Sequence, residues 1–398
     1  MHPLLEEAHG LTDQVAHLRR AIHREPELGL DLPLTQAKVL DALQGLPLEI
    51  RRGTATTSVV ADLRGSQPGR TIILRGDMDA LPLQEDTDVP FKSSIDGRMH
   101  ACGHDAHTAM LAGAARLLAR HQQALHGTVR FMFQPGEEGY AGAVVMLDEG
   151  LLDAPEAGRP VEAAFALHAT PRWGPGSVLT RPGPVLASTD NFVIVVRGRG
   201  GHASAPHMAA DPVPVACEIG MALQTLVTRS VNVFSPAVLT IGKIEAGTAA
   251  NIIPETARLH GTIRTLSPAT RATLVEGMQR VAHGVCSAHG LEAEIDHHAG
   301  YPVTVNDADF ARFVLETGRD ILGAEHSLQQ PSPQLAAEDF AYVLEQIPGA
   351  MASLGTRPFG FAEGEAPNAH SNRYLLNEEA LATGMAMYAG VALAYLRE

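Results

Sequence analysis

Thr71-Ile72-Ile73-Leu74-Arg75-Gly76-Asp77 decides the fold. Its apolar run stops abruptly at Gly76-Asp77, as a buried strand does when it ends in a loop. Two other segments read the same way. Val129-Arg130-Phe131-Met132-Phe133 is halted by Gln134-Pro135-Gly136, and Ala163-Ala164-Phe165-Ala166-Leu167 ends at His168. Helical spacing lies between and before them. Leu11, Val15, Leu18 and Ile22 place a helix over residues 11–24. Asp105 is the expected N-cap of a helix reaching about His121, with Met110, Leu111, Ala114, Leu117 and Leu118 on one face. Strands alternating with helices predict an α/β domain with a mainly parallel sheet. In such sheets ligands gather beyond the carboxyl ends of the strands.

The rhythm changes after the Gly- and Pro-rich loop at residues 173–184. Strands are expected at 192–196, 238–244, 256–265 and 291–297, and helices at 212–229 and 268–289. The order βαββαβ is that of a ferredoxin-like α+β unit. Helices at 310–321 and 375–396, with a strand at 351–354, then read as a return to the first domain. The expected domains are therefore 1–184 with 300–398, and an insertion at 185–299.

Composition narrows the functions available. The 398 residues carry 30 basic and 45 acidic side chains, a net charge of −15, which disfavours nucleic acid or an anionic membrane as partner. No apolar run approaches the ~20 residues of a membrane span. The opening Met1-His2-Pro3-Leu4-Leu5-Glu6-Glu7 lacks the basic and apolar regions of a secretory signal. Three cysteines, Cys102, Cys217 and Cys286, make no disulfide framework, so a reducing cytoplasm is expected. The 19 histidines are the unusual number.

Met99-His100-Ala101-Cys102-Gly103-His104-Asp105-Ala106-His107 concentrates one thiol and three imidazoles just ahead of a helix. Cys-x-His sets a soft and a borderline ligand on one side of an extended segment, which points to a metal. Gln134-Pro135-Gly136-Glu137-Glu138-Gly139 offers two adjacent carboxylates in a Gly-rich turn at a strand end. Neighbours in an extended chain point apart, so one can bind metal while the other acts on a substrate water. His168 closes an apolar strand, a costly place for a polar ring without a partner. Gly198-Arg199-Gly200-Gly201-His202-Ala203 matches a dinucleotide fingerprint in letters, but Pro206 and Pro212 break the helix that must follow. No Walker A motif or Gly-x-Ser-x-Gly elbow occurs.

Arg75 to Pro82, Met99 to His107, Gln134 to Glu138, Gly200 to Ser204 and Ala250-Asn251-Ile252-Ile253-Pro254 together resemble the M20 metallopeptidase family. The likeness is to its amidohydrolase subgroup of hippurate hydrolases, N-acyl-amino-acid aminoacylases and auxin-conjugate hydrolases, and runs from about His23 to His370. It implies a phosphorylase/hydrolase-like catalytic domain with two divalent ions (Zn first, with Mn, Co or Ni as alternatives). It also implies that the insertion is a lid that dimerises, with a tetramer as the larger alternative.

Carried over by motif, the metal ligands are Cys102, His104, Glu138, His168 and His370. Cys102 stands where most of the wider family has a bridging Asp. Asp77 stands where that family has a ligand His, which His104 replaces. Asp79, Asp77 and His107 are placed behind the ligands; Glu137 matches the general base. His202 matches the histidine that polarises the scissile carbonyl, and Asn251, Arg264 and Gly355 sit where the family grips the substrate carboxylate. The implied reaction is hydrolysis of an N-acyl or N-aroyl amino acid. Alternatives are a dipeptidase or carboxypeptidase of the same family, and a catalytically silent dimeric binding protein.

Overall fold

The computed structural model describes residues 1–155 and 158–397. It divides into two compact units, Met1–Val185 with Val305–Ser332 and Asp339–Glu398, and Leu186–Thr304 with Pro333–Glu338. The boundaries expected after 184 and 299 compare with breaks after 185 and 304, and residues 333–338 join the second unit.

The principal elements, in chain order, are α1 (Thr12–Arg24), β1 (Leu48–Arg52), β2 (Val59–Arg64), β3 (Gln67–Asp77), α2 (His104–Arg120), β4 (His126–Gln134), β5 (Val161–Thr170) and β6 (Val178–Thr180). They continue with β7 (Ser188–Arg197), α3 (Pro212–Ser230), β8 (Ala237–Ala246), β9 (Thr256–Thr265), α4 (Pro268–Ala288) and β10 (Glu292–Ala299). The last are α5 (Ala308–Leu322), β11 (Ser327–Gln329), β12 (Gly349–Gly355) and α6 (Ala380–Tyr395).

In the first unit the sheet order among the described residues is β1-β2-β4-β3-β5-β12-β6-β11. The centre, β4-β3-β5-β12, is parallel throughout, while β1 and β2 run antiparallel at one edge. Ile72, Ile73 and Leu74 of β3 are all fully buried. Successive strand residues face opposite sides, so both faces of the sheet are covered, which is what the unbroken apolar run encodes. Two helices cross through glycines. A Cβ on Gly113 of α2 would lie 2.3 Å from Met385 Sδ, and one on Gly384 of α6 would lie 2.1 Å from Met110 Sδ. Larger residues there would collide with the Met385 and Met110 side chains packed between α2 and α6. From α6, Tyr388 Oη donates to the Arg75 carbonyl at 2.6 Å and accepts the Leu167 N–H at 3.2 Å, tying β3 to β5.

Two local expectations are corrected. Asp105 does not cap α2. That helix starts at His104 behind Gly103, whose φ of 88° is left-handed and which makes no side-chain cap. Asp105 instead accepts Arg19 Nε at 2.8 Å and pairs with His23 Nδ1 at 2.8 Å, all three buried. And β5 runs past His168 to Thr170.

The second unit has the order β8-β9-β7-β10, antiparallel at every step, a ferredoxin-like sheet. Phe192, Ile194 and Val196 of β7 pack with Ile219 and Leu223 of α3 and Leu274 and Met278 of α4. Asp211 caps α3 and Ser267 caps α4. The glycine-rich stretch at 198–203 leads into a two-residue strand, Gly201–His202, and α3 opens only at Pro212. It therefore lacks the helix N-terminus on which a dinucleotide pyrophosphate rests. Among the described residues no helix is long and apolar enough to cross a membrane.

Candidate metal centre

Three strand ends of the first unit supply the site. β3 ends at Asp77 with Asp79 just beyond, β4 ends at Gln134 ahead of the Glu pair, and β5 carries His168. The turn holding Glu137 and Glu138 is flanked by Gly136 and Gly139, at φ of 72° and 87°, a conformation other residues adopt at a cost. Asp79 then fixes both carboxylates from behind. Its Oδ1 accepts the Glu137 N–H and its Oδ2 accepts the Glu138 N–H, each at 2.9 Å.

The histidines are set one by one. His104 donates from Nδ1 to the Asp79 carbonyl at 2.8 Å, so in the neutral ring the lone pair is on Nε2. Among the described residues that Nε2 is buried without a hydrogen-bond partner. A buried polar atom of this kind calls for a ligand. His168 donates from Nδ1 to the Ala169 carbonyl at 2.9 Å and turns Nε2 to Cys102 Sγ at 3.5 Å. His107 is different. Its Nε2 accepts the Ala169 N–H at 2.7 Å and its Nδ1 donates to Asp77 Oδ1 at 2.6 Å, so both nitrogens are spoken for. His370 lies on a left-handed backbone, φ 67°, held by its N–H on the Ala101 carbonyl at 2.8 Å; its Nε2 is 3.1 Å from Glu138 Oε1.

Donor atoms of Cys102, His104 and His168 all lie within 4.8 Å of one another, as do those of Cys102, Glu138 and His370. The two groups share Cys102. A thiol, three imidazoles and a carboxylate gathered in two groups that meet at Cys102, one imidazole with an orphaned buried Nε2, fit a borderline-soft divalent ion. The five ligands carried over by motif are therefore brought together.

The electrostatics agree. Burial opposes a charge on His104, yet the Asp77 carboxylate 3.5 Å from its Nε2, together with Cys102 and Asp79, outweighs this and raises its pKa well above the ordinary value. Burial likewise resists ionisation of Glu138, but His370 holds its pKa below the usual range. Burial also pushes the Cys102 thiol up to about 12 and His168 down to about 3, so this thiol ionises only against a strong cation.

Asp77, whose carboxylate also gathers with His104 and His107, is paired with Arg75, whose Nη1 is 2.7 Å from Asp77 Oδ2. Arg75 is wholly buried; it also binds Gln134 Oε1 at 2.8 Å and Asp339 Oδ1 at 3.2 Å. Gln134 Nε2 in turn reaches both Asp339 oxygens, at 2.7 and 2.8 Å. Arg75 and Gln134 lie inside the quoted motifs without a role assigned from sequence. Asp339 carried no signal there at all. His23 bonds Glu85 as well as Asp105, and His100 is buried with neither ring nitrogen partnered among the described residues.

The family's sequence profile, peptidase family M20/M25/M40, matches residues 73–394. The chain belongs to that M20 family. Thermostable carboxypeptidase 2 of Saccharolobus solfataricus is 36% identical over 389 residues, covering 97% of this chain and 96% of its own. N-acetylcysteine deacetylase of Bacillus subtilis is 38% identical over 384 residues, covering 96% and 97%. The crystal structure of Bacillus subtilis YxeP, a dinuclear metal binding peptidase from the M20 family, superposes with a TM-score of 0.83 at 34% identity, covering 97% of this chain and 99% of that one. This M20 protein is accordingly an enzyme, a metal-dependent amidohydrolase.

The remaining site residues of the M20 protein are His202, Asn251 and Arg264 of the second unit and Gly355 of the first. In the second unit, pairing of His202 with Ile252 sets His202 beside Asn251, whose carbonyl takes the Ala203 N–H at 3.1 Å. The Ser204 N–H donates to His202 Nδ1 at 3.1 Å, which leaves the proton of the neutral ring on the exposed Nε2. Arg264 donates from Nη1 to Thr262 Oγ1 and to the Ile263 carbonyl at 3.2 Å. Gly355, in the first unit, is explained by packing. A Cβ there would lie 2.1 Å from the Gly174 carbonyl oxygen, and its N–H is given to Ser177.

Proposed function

We propose that this enzyme hydrolyses the amide bond of N-acyl or N-aroyl amino acids to a carboxylic acid and a free amino acid, with two divalent ions per subunit. The observation that carries it is the grip of Asp79 on consecutive backbone N–H groups, which separates the tasks of two adjacent carboxylates. Glu138 faces His370 and the donor set, and buried Glu137 is left to handle protons.

Cys102, His104 and His168 would hold one ion, and Cys102, Glu138 and His370 the other, with Zn favoured on softness and Mn, Co or Ni as alternatives. The bound ions would acidify water and polarise the amide carbonyl. Glu137 takes the proton of the attacking water and passes it to the leaving nitrogen. His202 donates from Nε2 to the developing oxyanion, and Asn251 and Arg264 engage the substrate. The working form is a cytoplasmic homodimer.

A second reading, a carboxypeptidase, is favoured by the 36% identity to the Saccharolobus solfataricus carboxypeptidase. One screen separates the two. N-acyl amino acids, with acyl group and amino acid varied independently, are set against blocked dipeptides, with metal analysis of the same sample. Turnover confined to peptides would overturn the deacylase reading.

A further inference from the structure

The carboxyl-terminal rim of β5 and β12 carries a second group of unanswered polar atoms, apart from the donor set. Trp173 Nε1 and Arg357 Nη1 are both buried without a hydrogen-bond partner among the described residues. The backbone holds the two side by side. The Arg357 N–H donates to the Trp173 carbonyl at 3.0 Å, and the preceding Thr356 N–H donates to the Thr170 carbonyl at 2.9 Å. Arg357 Nη2 lies over Gly174, 3.8 Å from where a Cβ would stand. The same two strands pair His168 with Ser353, so this rim continues directly from a candidate ligand.

Indole and guanidinium nitrogens are donors only. Buried with nothing to donate to, they incur a desolvation cost that a ligand oxygen would remove. Arg357 Nη1 meets no carboxylate among the described residues, and the Arg172 guanidinium adds a second cation, 5.5 Å from the Trp173 ring centroid. Two donors and a net positive charge suit an anion, and a carboxylate can offer an oxygen to each. In a chain of net charge −15 such a patch is also what lets an anionic substrate approach.

We propose that Arg357 and Trp173 form a carboxylate-binding subsite for the substrate. The assignment rests on the amidohydrolase reading for its physiological ligand, and commits to a carboxylate whether that group belongs to the amino acid or to the acyl moiety. Trp173 is the only tryptophan of the chain, so its fluorescence reports on this place alone.

The test uses the full chain, first stripped of metal by a chelator and dialysed. It is titrated with N-acetyl-leucine (carboxylate on the amino acid), N-succinyl-isopentylamine (carboxylate on the acyl group) and N-acetyl-isopentylamine (none), following tryptophan emission. A saturable change with either or both carboxylate-bearing ligands, and none with the third, is expected; which of them responds names the source. Arg357→Met should weaken that binding about 10- to 100-fold, and Arg357→Lys less, because it keeps charge but loses the fork. With metal restored, the kcat/KM preference of Arg357→Met for the carboxylate-bearing amides should fall by a similar factor, mainly through KM. Equal responses to all three ligands, or wild-type affinity in a folded Arg357→Met, would overturn the subsite. Because the titration needs no turnover, a wild-type protein that binds carboxylates here but hydrolyses no N-acyl amino acid would refute the deacylase reading and leave the subsite standing.

Discussion

One carboxylate of Asp79 holds Glu137, and with it Glu138, by accepting both backbone N–H groups at 2.9 Å, one on each oxygen. Asparagine has a single acceptor oxygen, so Asp79→Asn must leave one N–H facing an NH2 group. Both Glu side chains then lose their fixed direction. Residues of this supporting kind change metal affinity or activity by about 10- to 100-fold. Asp79→Asn should lower kcat and metal content together in that range. A variant with kcat within twofold of wild type would show that the turn holds itself.

Glu137→Gln isolates the proton-handling carboxylate. The amide keeps the volume and the backbone N–H contact to Asp79 but cannot take a proton. Positioned acid–base groups contribute about 10²–10⁴-fold, so kcat should fall by that order while bound metal, measured on the same protein, stays at the wild-type ratio. Retained activity would move the base elsewhere. A loss of metal in step with activity would make Glu137 a ligand instead.

Arg75 stands between two buried carboxylates, Asp77 at 2.7 Å and Asp339 at 3.2 Å. Removing one partner of a buried ion pair leaves an uncompensated charge, at a cost of about 3–5 kcal/mol. Arg75→Met should destabilise the chain by that much in denaturant titration. In its folded fraction, the freed Asp77 carboxylate, 3.5 Å from His104 Nε2, becomes available as an oxygen ligand. Metal preference should shift towards harder ions such as Mn. Unchanged relative affinities for Zn and Mn would argue that Arg75 is purely structural.

How much of this was written in the sequence follows from where each feature gets its specification. β3 was legible because a strand covered on both faces needs Ile72-Ile73-Leu74 in unbroken succession. β1 was not, because Leu48-Glu49-Ile50-Arg51-Arg52 lies at an edge, largely exposed, and owes its conformation to pairing with β2. Part of the ligand cluster was legible because Cys102 and His104 are two positions apart, and neighbours in sequence are neighbours in space. Asp339 was invisible for the opposite reason. Its meaning comes from Arg75, 264 positions away. Asp105 misled. In sequence it has the residue type and place of an N-cap, but Gly103 supplies the turn, and Arg19 and His23 are the stronger partners.

Cys102 belongs to both candidate donor groups, so metal removal and Cys102→Ser should probe the same property. Chelation should abolish activity, and added Zn should restore it. An enzyme indifferent to chelators would refute the metal-dependent scheme outright. Burial lifts the Cys102 thiol to about 12, so in the stripped protein it is protonated at neutral pH, and binding an ion must release that proton. Metal affinity should therefore rise with pH, by up to a factor of ten per unit from this group alone. Cys102→Ser replaces a soft ligand by a hard, still less acidic one and should weaken binding of Zn far more than that of Mn. Calorimetric titration of stripped wild type and Cys102→Ser at several pH values reads both effects. A serine variant with the wild-type Zn affinity would make Cys102 a buried spectator, leaving His104 and His168 without their shared thiolate.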